Sequence, residues 1–260
     1  MKHLALALLL ASAHSAAADS WAEGPAGKTR KRNLLLTVTT GVAYAVSETA
    51  LKYSFSPDDC RWCTPPSIDV GARNALVWSD LQRARTASDV VGHLVVPVFA
   101  VGAVNLTLVG HGAGWGEIFD VTLPVLEAAF VSQLVTYVAK GALGRERPDR
   151  NFGVVGSSDA EDKNVSFWSG HTALAFAFAT SAGTVASQRR SRAAPLIWGV
   201  GLTLATATGY LRIAGDKHYL TDVVVGAGVG MAIGYVIPRL MQHDVGIASD
   251  GKSVVLTGRF

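Results

Sequence analysis

Three short clusters in the second half of the chain carry the residue types that can handle a tetrahedral oxyanion. They are Lys140 with Arg147-Pro148, then Ser169-Gly170-His171, then Arg212 with His218 and Asp222. Together they offer cations to hold the anion, an imidazole to attack it and a second imidazole to protonate what departs. Asp222 follows His218 by four residues, so on a helix the two share a face. The carboxylate can then accept a hydrogen bond from one ring nitrogen and leave the other free as a nucleophile. Ser169 can cap a helix, Gly170 lets a ligand approach the backbone, and His171 in the first turn can supply a proton. Arg147 brings a planar fork for two anion oxygens, Lys140 a point charge, and Arg212 sits before a glycine-containing turn that can fold it over the same place. Each cluster alone also has a plainer reading. His218 and Asp222 could be an interfacial pair, Ser169 a simple cap, and Lys140 a side chain snorkelling at a membrane edge.

Long apolar elements must bring these clusters together. Of the 260 residues, 49% are hydrophobic and 17% charged, and the mean hydropathy is +0.29. Soluble domains carry about 25% charged residues, so the balance points to a membrane protein. A net charge of +3 is too small to argue for nucleic acid, and no basic run is interleaved with aromatic residues. Apolar segments cover roughly 33–53, 90–112, 118–140, 170–187, 195–213 and 220–240. Their length and alanine content predict helices, and their many small residues suit close helix packing. The expected fold is all-α: a bundle of about six core helices, membrane-embedded, with irregular loops on the exported side. Glu48, Asn105, Asp120, Glu127 and Gln133 interrupt the segments, so a soluble exported protein with the same helices as buried core is the alternative. The stretch 54–89 reads as polar and irregular, and the link 144–169 as polar. The link 188–192 holds three arginines and no acid, which predicts a cytoplasmic position. Counting outward from it sets Lys140, His171, Arg212 and His218 at one exported face.

The first 18 residues read as a signal peptide: Lys2 and His3, an apolar run, then Ala16-Ala17-Ala18. An uncleaved anchor is the alternative. A cleaved signal would leave residue 19 outside and turn segment 33–53 into a packed or interfacial helix. The basic residues Lys28, Arg30, Lys31 and Arg32 favour an inside start and six spans. Cys60 and Cys63 form a lone C-x-x-C, which could be a redox motif, half a zinc site or a short disulfide. With two prolines following and no second cysteine pair, an exported chain favours a local disulfide pinning a loop. The expected organisation is 1–18 signal, 19–89 an N-terminal helix and cysteine-containing loop region, 90–240 the helical core and 241–260 a tail, in which 253–257 could pair as a strand.

The clusters jointly resemble the signature of the type 2 phosphatidic acid phosphatase family, which shares its core with bacterial class A acid phosphatases and vanadium haloperoxidases. That signature is K-x6-RP, PSGH and SR-x5-H-x3-D. Lys140 to Pro148 fit the first throughout. Trp168 stands where the second has proline, and Leu211 where the third has serine. The resemblance covers about residues 90–240. It implies that His218 attacks phosphorus and forms a phosphohistidine, Asp222 orients it, and His171 protonates the leaving oxygen and later activates water. It further implies that Lys140, Arg147, Arg212, Ser169 and Gly170 hold the phosphoryl oxygens, with no metal and no cofactor. The implied substrate is a phosphorylated lipid, a lipid pyrophosphate or a small phosphate ester. The implied place is a bacterial-type inner membrane with the site facing the periplasm, or a soluble periplasmic state. The alternatives are a soluble exported acid phosphatase of broad specificity, a vanadate-using haloperoxidase, and a non-catalytic phosphate-lipid binding protein on the same scaffold.

Overall fold

The computed structural model describes residues 24–51, 54, 56–109, 113–154, 162–242, 246–249 and 254–257. The expected signal peptide at 1–18, and residue 253 of the expected strand, lie outside them.

Among the described residues, six long helical stretches occur in the expected order. They are α1 (Gly24–Thr49), a continuous stretch from Leu81 to Leu106, α5 (Trp115–Leu143), α7 (Gly170–Gln188), α8 (Ala194–Ala214) and α9 (Leu220–Gln242). Four of them, Leu81–Leu106, Trp115–Leu143, Ala194–Ala214 and Leu220–Gln242, are long and apolar enough to cross a membrane. Leu94, Val98, Leu106, Val138, Leu196, Val224 and Val236 face outward from them, as lipid-facing residues would.

The region 54–89 corrects one expectation. It is not irregular: it holds α2 (Ser67–Leu76) and α3 (Leu81–Val90). The Asp80 side chain caps α3 by accepting the Arg83 N–H at 3.0 Å. The helix then passes through one π-helical turn, Val91–Val95, into α4 (Val96–Leu106). The segment expected to begin at 90 therefore begins about two and a half turns earlier, at Leu81. Charged side chains gave this region a loop-like composition, yet several of them point inward to ion-pair partners in the site.

Helix α7 is the enclosed element, with almost every residue from Gly170 to Ala186 buried. Its alanines allow neighbours to approach closely, and α9 does so through Gly226, Gly230 and Gly234. A Cβ on any of these would drive into the α7 backbone at Ser169, Ala173 or Ala177. This spacing of four residues brings the start of α9 against the start of α7, where the Ser169 N–H donates to the Asp222 carbonyl at 3.1 Å. Two of the three sequence clusters are thereby joined by backbone.

The polar interruptions also have partners. Arg30 of α1 donates twice to Asp120, at 2.9 and 2.7 Å, and the Thr40 hydroxyl donates to Glu127 at 2.6 Å. These contacts fasten α1 to α5 while Leu35, Val38, Val42 and Val46 stay exposed. After α9, β1 (Gly246–Ser249) and β2 (Val254–Thr257) pair as a short antiparallel hairpin.

Candidate active site

The C-terminal end of α5, the N-terminal ends of α7 and α9 and the C-terminal end of α8 meet at one pole of the bundle. Lys140 stands in the last turn of α5, which Gly144 ends in the left-handed conformation at φ 59, its N–H returning to the Lys140 carbonyl at 3.2 Å. The chain then runs through Arg147 into α6 (Pro148–Asn151), the four-residue helix that Pro148 starts. Arg147 is buried and fixed on several sides. Its Nε donates to the Asp162 carbonyl at 2.8 Å, its second terminal nitrogen pairs with the Asp162 carboxylate at 2.9 Å, and its first reaches the Lys217 carbonyl at 3.1 Å. That first nitrogen also lies 3.4 Å from Nε2 of His218.

His218 sits in the tight turn between α8 and α9. Asp216 supplies the bend with φ 58, a conformation that aspartate tolerates better than most residues. Arg73 of α2 holds the Asp216 carboxylate with two bonds of 2.7 Å each. Burial pushes the His218 imidazole well below its ordinary pKa, and the positive charges of Arg147, Arg212 and Lys140 push it further. The ring is therefore neutral at neutral pH and keeps a lone pair for attack.

Asp222 differs from the expectation in its contacts. Its Oδ2 lies 3.6 Å from Nδ1 of His218, beyond hydrogen-bond length though within ion-pair range. The carboxylate is instead committed to Arg145 at 2.5 Å, to the Ser166 hydroxyl at 2.6 Å and to the Tyr219 N–H at 2.9 Å. It fixes the turn that carries His218 through the next residue's backbone.

The third cluster opens α7. Ser169 caps the helix, its hydroxyl accepting from the Thr172 N–H at 3.4 Å and the Thr172 hydroxyl at 2.9 Å. Gly170 leaves room beside Lys140, whose Nζ stands 3.6 Å from where a Cβ would be. Trp168, at the family's proline position, donates its indole N–H to Thr136 of α5 at 2.8 Å, so it ties the loop down by another route. His171 bonds through Nε2 to Asp89 at 2.8 Å. Arg212 reaches the Ser88 hydroxyl at 2.9 Å and Asp89 at 3.2 Å.

All eight residues singled out in the three motifs thus lie at one pole. The sequence reading missed the shell behind them. Arg145, within the K-x6-RP spacing, is 1% exposed and bridges Asp69 of α2 and Asp222. Its guanidinium lies 3.9 Å from the Trp62 ring centre and 4.3 Å from that of Tyr219. Asp149 pairs with both Arg85 and Lys217, each at 3.1 Å. Cys60 and Cys63 are joined as a disulfide, and the enclosed loop hydrogen-bonds Gly144 and Glu146 on either side of Arg145. A fully buried aspartate cannot be told from an exposed one by spacing alone, so only the arginine density of this region hinted at the network.

The bundle superposes on the transmembrane PAP2 type phosphatidylglycerolphosphate phosphatase of Bacillus subtilis with a TM-score of 0.50, over 81% of this chain and 96% of that one at 16% identity. The two share a fold. LpxE of Aquifex aeolicus superposes more loosely, with a TM-score of 0.36 over 63% of this chain and 99% of that one at 23% identity. Residues 121–245 match the PAP2 superfamily. The chain is also 33% identical over 138 residues to a lipid A 1-phosphatase of Porphyromonas gingivalis, a match covering 52% of this chain and 27% of that protein's length.

Proposed function

We propose that the protein is a metal-independent phosphatase that hydrolyses a lipid phosphate or lipid pyrophosphate through a phosphohistidine. The observation that carries this reading is the setting of His218. A neutral, buried imidazole presents Nε2 to Arg147 while Lys140 and Arg212 add their charge from nearby. A phosphoryl group entering there would take over the Arg147 fork and expose the Nε2 lone pair. The Nε2–P bond forms as the ester P–O bond breaks, and the departing oxygen takes a proton from His171. Water then gives a proton to His171 and attacks phosphorus, the Nε2–P bond breaks, and inorganic phosphate leaves. Fixed cations facing the three phosphoryl oxygens stabilise the transition state, which needs positioning more than covalent assistance.

Four apolar helices with outward leucine and valine support a lipid substrate over a soluble ester. The arginine-bearing link lies at the far end of the 19-residue α7, about 28 Å from Ser169. With those arginines cytoplasmic, the site opens on the exported face of a bacterial inner membrane. The lipid A 1-phosphatase match makes a lipid A phosphate a first substrate to try, and the Bacillus protein suggests phosphatidylglycerol phosphate. The test is phosphate release, in the presence of a chelator, from these two lipids, phosphatidic acid, an isoprenyl pyrophosphate and a soluble monoester. Turnover of one or more lipids well above the soluble ester is expected. Binding of phosphate without turnover of any substrate would sink the enzyme reading, and a preference for the soluble ester would favour a broad-specificity acid phosphatase.

A further inference from the structure

Resting on that reading, the geometry points to Asp89 as a positioning residue for proton transfer, holding His171 by Nε2 so that Nδ1 faces the leaving oxygen. Asp89 lies in the last turn of α3, outside the three sequence motifs. Its Oδ1 accepts from two groups at once, Nε2 of His171 at 2.8 Å and the Arg212 guanidinium at 3.2 Å. One carboxylate oxygen therefore ties the proposed proton donor to one of the cations that grip the phosphoryl group. The Ser88 hydroxyl takes the same Arg212 nitrogen at 2.9 Å, so two consecutive residues of α3 fix that side chain.

The local fold is built for this contact. The helix changes to π-helical geometry directly after Asp89 and Val90, a feature that often marks functional sites. Gly92 in that turn is buried against Thr208 of α8 and His171, where a Cβ would stand 2.9 Å from the threonine methyl. His93 packs edge-on to His171, with ring centres 4.1 Å apart. His171 is thus held on two sides, by a carboxylate at one nitrogen and by a second ring along its edge.

A metal ion is the competing use of these residues, since Asp89, His93 and His171 each present a ligand atom within 4.8 Å of the others. The charge environment argues against it. The Asp89 oxygen a metal would need already holds the Arg212 guanidinium, with Arg147 and Arg85 also acting on that pole. A divalent cation would meet fixed positive charge one bond length from its ligand. A proton on His171 meets the same repulsion from Arg212 in smaller measure. The Asp89 carboxylate opposes it in part, while burial and Arg212 still hold the imidazole well below its ordinary pKa. A carboxylate behind a histidine also selects the tautomer, leaving the far nitrogen to transfer the proton.

Leaving-group dependence tests the proposal. An aryl phosphate such as p-nitrophenyl phosphate expels an anion that needs little protonation, whereas an alkyl phosphate such as phosphatidic acid needs a proton at once. Single-turnover release of the alcohol, with enzyme in excess, reads the first step before water attacks the phosphohistidine. H171Q should slow the alkyl ester by about 10²- to 10⁴-fold and the aryl ester far less. D89N should bias the two esters in the same direction, lowering the alkyl-to-aryl rate ratio by about 10-fold or more. KM should stay unchanged or fall, because a negative charge beside the phosphoryl site has gone. D89E should recover most of the ratio, and D89N/H171Q should be no worse than H171Q. The ratio does not depend on the fraction of active protein, so partial misfolding cannot mimic the result. An unchanged ratio in D89N beside a biased H171Q overturns this inference alone, as do additive losses in the double variant. An unbiased H171Q overturns it together with the role given to His171.

Discussion

Two histidine–aspartate pairs stand at the same pole of this bundle, and their surroundings are opposite. The His218 and Asp222 side chains are 1% and 0% exposed, while those of His171 and Asp89 are 22% and 57% exposed. In the first pair the aspartate is 3.6 Å from the ring and spends its oxygens on Arg145, Ser166 and the Tyr219 N–H. In the second the aspartate bonds the ring directly at 2.8 Å. The difference suits different tasks. A nucleophile must be neutral and immobile, and burial among cations makes it both. A proton donor must regain its proton each cycle. Partial solvent access and the bonded carboxylate favour this, against the burial and the Arg212 charge that lower the His171 pKa as well. The buried aspartate serves as architecture for a turn, and the exposed one as an electrostatic partner.

Disrupting the buried pair should give the largest effects. H218A should lower turnover by about 10⁴-fold or more, with no phosphohistidine trapped in an alkaline quench. Wild-type-like turnover would remove His218 from the nucleophile's place. D222N should lower kcat by about 10²- to 10⁴-fold, and because the ring is not directly bonded, the loss should come with a lower melting temperature. A full-strength fold with the same kinetic loss would mean that Asp222 acts on the ring after all. R145Q leaves Asp69 and Asp222 without their shared cation and should cost about 3–5 kcal/mol of stability, read by denaturation in detergent.

Smaller effects sharpen the contrast. His218 is held below its ordinary pKa, so it is neutral above that lowered value and protonated below it. The acid limb of kcat/KM should therefore fall below about 6.5, the value for a free imidazole. K140Q removes one of the charges responsible and should move that limb upward. A limb that stays in place would assign it to another group. Serine at both cysteines opens a loop of few residues, so it should cost no more than about 2 kcal/mol. Its effect on rate should be slight, because Trp62 would still be tethered by its backbone bonds on either side of Arg145.

The motifs were legible because each is local. A lysine and arginine seven apart and a capped helix start keep their meaning wherever the chain goes. The i, i+4 histidine–aspartate pair kept only its proximity, because His218 lies in the turn before α9 and Asp222 bonds Arg145, Ser166 and Tyr219 instead. The helices were legible too, from their length and apolar content, although α2 and α3 were hidden by charges that a sequence reader assigns to loops. Those charges find partners far along the chain: Asp69 meets Arg145 across 76 residues, Arg73 meets Asp216 across 143, and Asp89 meets His171 across 82. No spacing rule reaches that far.

The sequence alone therefore determined which residues are proposed to bind and attack a phosphoryl group, and that greasy helices carry them. Tertiary structure decided which carboxylate stands behind which histidine. That choice depends on how closely helices approach, as the glycines at 226, 230 and 234 allow α9 to approach α7, and on which charges burial forces to find a partner.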